Sequence, residues 1–232
     1  MSVVINARTP RLLALFALAG GCTCSSPDAA PAEPSPPITF VASRAPAPTI
    51  DGELDEPPWT EHEPTARFVD AVTGELTPPY TEARALCDDD ALTIAIYAAD
   101  EDLRSTDRMG AVLHVPGGAT HVFEMDPNGT VRWHAPSAAP GDPPPGVVGG
   151  VDRDGTMDHE DIDDEEWIIE VRVPWSALGM SGPGDVRANF FRRDQPRDSP
   201  IRTLAWVPWR EHASSDVSTL GLLRCAAGSG IR

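Results

Sequence analysis

The stretch "IDGELDEPPW", Ile50–Trp59, places four carboxylates, a glycine and a tryptophan within ten residues. Three readings compete for it. A calcium loop of the EF-hand kind needs oxygen ligands at alternating positions and a glycine at the sixth, and that spacing is absent. A catalytic pair needs two carboxylates straddling a bond, one with a raised pKa. In a chain with 36 acidic residues, several in one turn carry no weight for that. A scaffold turn accounts for Gly52, Leu54 and Trp59 as well as for the acids.

Outward from this stretch the pattern is one of short strands and turns with little helical periodicity. "ARFVD" (66–70), "EARALC" (82–87) and "LTIAIYA" (92–98) read as strands, the last two joined by the acidic turn "DDDA". "AVLHV" and "THVFEM" flank Pro116-Gly117-Gly118, and "TVRWH" follows "DPNG". Later come "EWIIEVRV" (166–173), "VRANFFR" (186–192), "TLAWV" (203–207) and "TLGLLRC" (219–225). About ten strands predict an all-β fold, a single antiparallel β-sandwich of jelly-roll type. Only "PWSALG" (174–179) reads as a helical turn, with proline at its start and glycine at its end.

One hairpin can be registered from its chemistry. In Asp126-Pro127-Asn128-Gly129, proline suits the first central position of a type I turn and glycine the bulge after it. Asp126 then faces Thr130. Phe123 meets Trp133 and Met125 meets Val131 on one face, while Glu124 meets Arg132 on the other. A slip of one residue destroys both matches. A two-residue turn at Gly117-Gly118 sets His114 across from His121, a facing pair that suits zinc or copper but lacks a third ligand, because His134 turns to the opposite face.

All 18 basic residues are arginines, which excludes Schiff-base lysines and a P-loop. The formal charge is −18, so nucleic acid is not an expected partner, since no basic stripe exists to displace its counterions. Residues 1–21 read as an export signal, with Arg8 and Arg11 before the apolar core "LLALFALAG". That core is far shorter than the roughly 20 residues that span a bilayer. "ALAGGC" resembles a bacterial lipoprotein cleavage site with Cys22 as the acylated residue, although Ala19 stands where leucine is usual. Thr23 after it, by resemblance to Gram-negative lipoproteins, favours the outer membrane. Residues 22–37 form a Pro/Ala/Ser-rich tether, 38–226 the folded domain and 227–232 a tail. In an oxidising envelope Cys87 and Cys225 become the disulfide pair, with Cys24 left over.

Several segments together resemble the family 9 carbohydrate-binding modules: "IDGELDEPPW", "EARALCDDDALTIAIYAADEDL", "FEMDPNGTV", "EEWIIEVRVPWSALG", "VRANFFRRD", "LAWVPW" and "TLGLLR". They occur in the family's order from about residue 38 to 224. The resemblance implies a β-sandwich, usually non-catalytic, found beside glycan-degrading enzymes and sometimes holding calcium. It also implies that the opening stretch is a turn setting Trp59 against the sandwich. In the best-known members two exposed tryptophans sandwich a terminal sugar, because sugar C–H faces stack on aromatic rings. Here the first position, before "DRMGAVLHV", has no tryptophan. The second falls on Ser214, and Trp206 matches a core tryptophan. Trp209 is the nearby aromatic that would substitute, with Glu124 and Arg132 as polar contacts or simply as a cross-strand ion pair.

For metal, "AADEDLRSTD" (98–107) offers Asp100, Glu101, Asp102 and Asp107 at a strand end, with Asp100 and Asp102 the leading ligands. Hard oxygen donors in a loop suit calcium, and a solvated acidic loop is the competing reading. "DRDGTMDHEDIDDEE" (152–166) has more acids and no definite spacing. The expectation is a lipid-anchored, non-catalytic module binding a polysaccharide at the cell envelope. A protein-binding scaffold that has lost the sugar site is the alternative. A third reading is a haem-binding redox module, with Met109, Met125 or His121 as axial ligands. No Ser-His-Asp arrangement with a nucleophile elbow is present, which argues against hydrolysis.

Overall fold

The computed structural model describes residues 37–64, 67–136, 138–159, 164–197, 199–209 and 216–226. The expected signal (1–21), Cys22, Cys24, the rest of the tether before Pro37, Ser214 and the tail (227–232) lie outside them. The described residues form β1 (Thr39–Arg44), β2 (Val69–Asp70), β3 (Thr81–Cys87), β4 (Ala91–Ala99), β5 (Arg108–His114) and β6 (Thr120–Met125). They continue as β7 (Val131–His134), β8 (Val148–Asp154), β9 (Glu166–Pro174), β10 (Val186–Asp194), β11 (Arg202–Ala205) and β12 (Gly221–Cys225). The path across the strands is β7-β6-β5-β10-β12-β1-β3-β4-β9-β8, with β11 on β10 and β2 on β11.

Strand β1 turns this path into a sandwich. Its residues Thr39–Ala42 pair parallel with β12, and Ser43–Arg44 pair parallel with β3. The first sheet therefore holds β7, β6, β5, β10 and β12, and the second holds β3, β4, β9 and β8; their other pairings are antiparallel. Cys87 and Cys225 flank β1 from its two sides and are joined by a disulfide. It closes a loop of 138 residues, a constraint on the unfolded chain of about 4–5 kcal/mol in the chain-entropy picture. At the other end of the path β8 closes on β7: a Cβ on Gly149 would lie 2.5 Å from the Val131 side chain. Period-two alternation fills the space between the sheets with Ile94, Ile96, Phe123, Trp167, Ile169 and Phe190.

The same alternation puts Glu170 of β9 on the outer face of the second sheet, since Ile169 and Val171 enter the core. Glu170 is nevertheless fully buried, because the Ile50–Trp59 turn lies over it. Its Oε2 accepts from the backbone N–H groups of Asp51 (2.9 Å) and Gly52 (2.7 Å), and its Oε1 from the Trp59 indole (2.6 Å). Gly52 has φ +98°, and a Cβ there would lie 2.1 Å from the backbone nitrogen of Asp152, so the close approach requires glycine. Trp59 sits in a single helical turn, α1 (Pro57–Thr60), and packs on Leu86 and Ala95. The opening stretch is thus a scaffold turn. Its acids serve their own backbone: Asp51 accepts from Glu53 N–H and Glu56 from Thr49 N–H.

Some sequence readings need correction. Strands β1 and β8 were not expected; β1 is bracketed by prolines, and Val148–Asp154 hides behind glycines and acids. "ARFVD" pairs only over Val69–Asp70, and "TLAWV" ends at Ala205. "PWSALG" is a 3₁₀ turn over Trp175–Leu178, closed by Gly179 at φ 75°. The Asp126–Thr130 hairpin has the register its turn chemistry dictates, Phe123 on Trp133 and Glu124 on Arg132. The facing histidine pair does not form. The loop has three residues, with Val115 N–H bonding Ala119 O (3.1 Å) and Gly118 N–H bonding Val115 O (2.7 Å). His114 therefore faces Thr120 and His121 faces Leu113, on opposite faces, while His134 opposite Val122 shares the face of His114.

Burial pushes the Glu170 carboxyl up to about 7, against the three hydrogen bonds that favour its anion. Between about pH 4.3, where an unfolded glutamate titrates, and pH 7, the folded state holds a proton that the unfolded state releases. Stability contributed by this group therefore falls as pH rises through that window. Urea midpoints of the wild type should decline from pH 5 to pH 8, and Glu170→Gln should flatten the decline by an amount of at most about 3 kcal/mol.

Candidate functional site

On the outer face of the first sheet, strand pairing builds a row across four strands: Arg132 of β7, Glu124 of β6, Gly110 of β5 and Phe191 of β10. Gly110 leaves room for its neighbour, since a Cβ there would lie 3.0 Å from the Phe191 ring. Two residues along β10, Arg193 reaches back over this row. Its guanidinium lies 5.4 Å from the Phe191 ring centre and donates to Glu124 Oε1 at 2.6 Å. Glu124 therefore pairs with Arg193, not with Arg132, which stands exposed opposite it. The result is a polar patch of one largely buried carboxylate and two guanidinium groups, beside a Phe191 ring that is itself fully buried.

The sequence candidates Glu124, Arg132 and Trp209 do lie on this one face, but Trp209 has a different part. It is only 5% exposed and packs against Phe191 (centroids 5.6 Å) with Ala71, Val112, Val122 and Leu220. Its backbone N–H is bonded to Ala71 O at 2.6 Å. It is a rivet holding the segment after β11 onto the sheet, not a stacking platform. All six tryptophans of the chain are buried. Arg193 was missed from sequence because nothing local shows that β10 lies beside β5; only that adjacency brings it to Glu124.

The acidic residues gather at one end of the sandwich interior. Alternation sends Arg192 inward where Arg193 goes outward. Arg192 donates through Nη2 to Asp100 Oδ2 (2.8 Å) and Asp194 Oδ1 (2.7 Å), and through Nη1 to Ala99 O (2.6 Å). Arg202 adds a bond to Asp194 Oδ2 at 2.7 Å. Asp107 completes a set of three buried carboxylates whose oxygens lie within 4.8 Å of one another. It accepts from the backbone N–H groups of Arg104 and Gln195, and burial with the nearby Asp100 and Asp194 charges pushes it up to about 7. Of the sequence pair, Asp100 belongs to this cluster. Asp102 is taken up by Arg104 (2.9 Å) and Arg197 (3.3 Å) and stands outside it. Three convergent carboxylates are a hard oxygen set fit for a cation such as calcium, although the two arginines already balance two of the charges.

The proposed haem ligands are differently placed. Met109 and Met125 face one another inside the core, both fully buried, and His121 packs against Trp133 at 5.4 Å. The two thioethers are core filling.

Adjacent arginines on opposite faces give a direct contrast. Arg192→Ala leaves the buried Asp100 without its cation and Asp194 with Arg202 alone, and should cost about 3–5 kcal/mol in urea unfolding at pH 7.5. Arg193→Ala removes a partly exposed pair and should cost under about 1 kcal/mol. Equal losses would show that the interior arginine cluster contributes no more than the exposed one.

No protein-family model matches the sequence, and no curated protein matches it. Among solved structures the fold recurs in a candidate carbohydrate-binding protein from Bacteroides uniformis, with TM-score 0.62 and 13% identity over 82% of this chain and 100% of that one. It recurs in a family 9 carbohydrate-binding module from Caldicellulosiruptor kristjanssonii, solved in complex with glucose, with TM-score 0.62 and 15% identity over 84% of this chain and 98% of that one. At these identities the likeness shows the fold: an all-β sandwich of the family 9 module type.

Proposed function

We propose that this protein is a non-catalytic carbohydrate-binding module. The observation that carries the reading is the outer patch of the first sheet, where Glu124, Arg193 and the exposed Arg132 gather over the buried Phe191. A fold that presents glucose in one of its bearers here keeps hydroxyl-matching groups on a rigid sheet while its tryptophans serve the core. Such a patch suits a polysaccharide held by polar bonds along a shallow surface. The leader, Cys22 and the Pro/Ala/Ser tether support anchoring by lipid at the bacterial cell envelope, in the outer membrane. Calcium, where it is used, would be held by Asp100, Asp107 and Asp194, and its part would be to neutralise the sandwich end. The burial of Trp209 favours one competing reading, a scaffold that binds a protein and no longer a sugar.

The test is binding of the full chain to a broad glycan array, with calcium and then with chelator. Saturable binding to one glycan class, weakened at least tenfold in Arg193→Ala and in Glu124→Ala, supports the module. A rise in melting temperature with calcium, abolished in Asp107→Asn, supports the cation. A folded protein that binds no glycan overturns the module in favour of the scaffold.

A further inference from the structure

Among the described residues, the outer face of the second sheet is only half covered. The Ile50–Trp59 turn lies over Leu86, Ala95 and Glu170. Beyond its edge, marked by Leu54, a hollow of ≈540 Å³ opens over the rest of the face. Strand pairing puts Glu82, Tyr97 and Ile168 in one row on its floor, with Arg84 and Tyr80 at the sides. It opens at Tyr80 and Ala99 onto a larger hollow of ≈880 Å³ at the acidic end of the sandwich. The volumes lie in the range of small-molecule sites, about 300–1,000 Å³.

The two tyrosine rings meet edge to face, with centroids 6.1 Å apart and planes at 63°, so they form a corner. Both are held in place. The Tyr80 hydroxyl bonds to Glu82 Oε2 and the Tyr97 hydroxyl to Glu166, while the Arg67 guanidinium sits 5.2 Å over one face of Tyr80. Arg84 is fixed by bonds to Trp59 O (2.9 Å) and Glu82 Oε1 (3.1 Å). Little side-chain freedom remains to be lost on binding, which favours affinity from a small contact. The charges on the lining, Glu82 and Arg84, are already paired with one another. A charged ligand therefore finds no unmatched partner, whereas a ring of neutral hydroxyls finds donors and acceptors around an aromatic corner.

We propose that this hollow is a second glycan-binding surface, taking a neutral pyranose unit over Tyr97, with Tyr80 as its side wall and Glu82 and Arg84 meeting its hydroxyls. The opening at Tyr80 lets a chain continue toward the acidic end, so the ligand is an oligosaccharide and not a single sugar. This rests on the reading of the protein as a carbohydrate binder and adds a site on the sheet opposite to the first. The module is then divalent, and its grip on a polymer exceeds that of either face through avidity.

Calorimetric titration of the full chain with cellohexaose, xylohexaose, mannohexaose and maltohexaose tests it, with thermal melts to show that each variant is folded. The expected result is that Tyr97→Ala weakens or removes one class of site at least tenfold for the hexasaccharide bound, and that Arg193→Ala removes the other. Tyr80→Ala, at a 39% exposed position, carries the same expectation and serves if Tyr97→Ala does not fold. Loss in the tyrosine variants with no effect of Arg193→Ala would keep this site and overturn the one on the first sheet. Unchanged binding in both tyrosine variants, with loss in Arg193→Ala, would overturn this site and leave the first. No binding of any of the four hexasaccharides by the wild type would overturn both.

Discussion

The carboxylate of Glu170 is the contact on which the arrangement of the second sheet depends. Among the described residues no cation pairs with it; two backbone N–H groups and an indole N–H hold it instead. Burying an acid in this way is costly unless every lone pair that faces inward is met. The raised pKa is the sign that the cost is not fully offset. What the contact gives in return is a fixed address. Only a turn with free N–H groups at Asp51 and Gly52, and an indole at Trp59, fits this carboxylate. Only a glycine at 52 permits the approach to β8. The turn therefore lies on one half of the sheet and leaves the other half open.

Arg192 does the complementary work inside the sandwich. Its guanidinium reaches from β10 to the end of β4 and ties Asp194 of the first sheet to Asp100 beside the second. An ion cluster of this kind adds little net stability over an apolar filling, yet removing Arg192 is costly because it leaves the buried Asp100 charge uncompensated. Between these two pins the apolar core needs no unusual feature, and its residues follow from alternation alone.

That division explains what could be read from the sequence. Alternation and turn chemistry are local, so the strands, the Asp126–Thr130 hairpin and its register were legible. The role of "IDGELDEPPW" was legible only as a turn; that it closes on Glu170 requires knowing that residues 118 positions apart meet. Strand β1 escaped because it pairs parallel with two distant strands, a relation with no local signature. Strand β8 escaped because its glycines answer to Val131 and Ile50 rather than to its own turn. The histidine pairing failed by one residue of loop length, which suffices to send a side chain to the other face. For the candidate site, Asp194 and Arg193 were invisible as partners of Asp107 and Glu124, since only the β10–β5 pairing joins them.

Both outer faces follow one plan. On each, a tryptophan pins a connecting segment over part of the sheet, Trp59 over Ala95 and Trp209 over Phe191. On the second sheet the uncovered part offers Tyr80 and Tyr97 beside Glu82 and Arg84; on the first, Phe191 lies buried under Trp209 and Arg193, and the accessible groups are polar. A tryptophan spent on pinning cannot also stack on a ligand, so at the two proposed glycan surfaces contact area would be small and polar matching would set selectivity. Weak sites gain most from being doubled on a rigid body, because the second contact on the same polymer forms at high effective concentration. On the proposed reading, two modest faces on one sandwich would together substitute for a single deep slot wherever the glycan is long enough or dense enough to reach both.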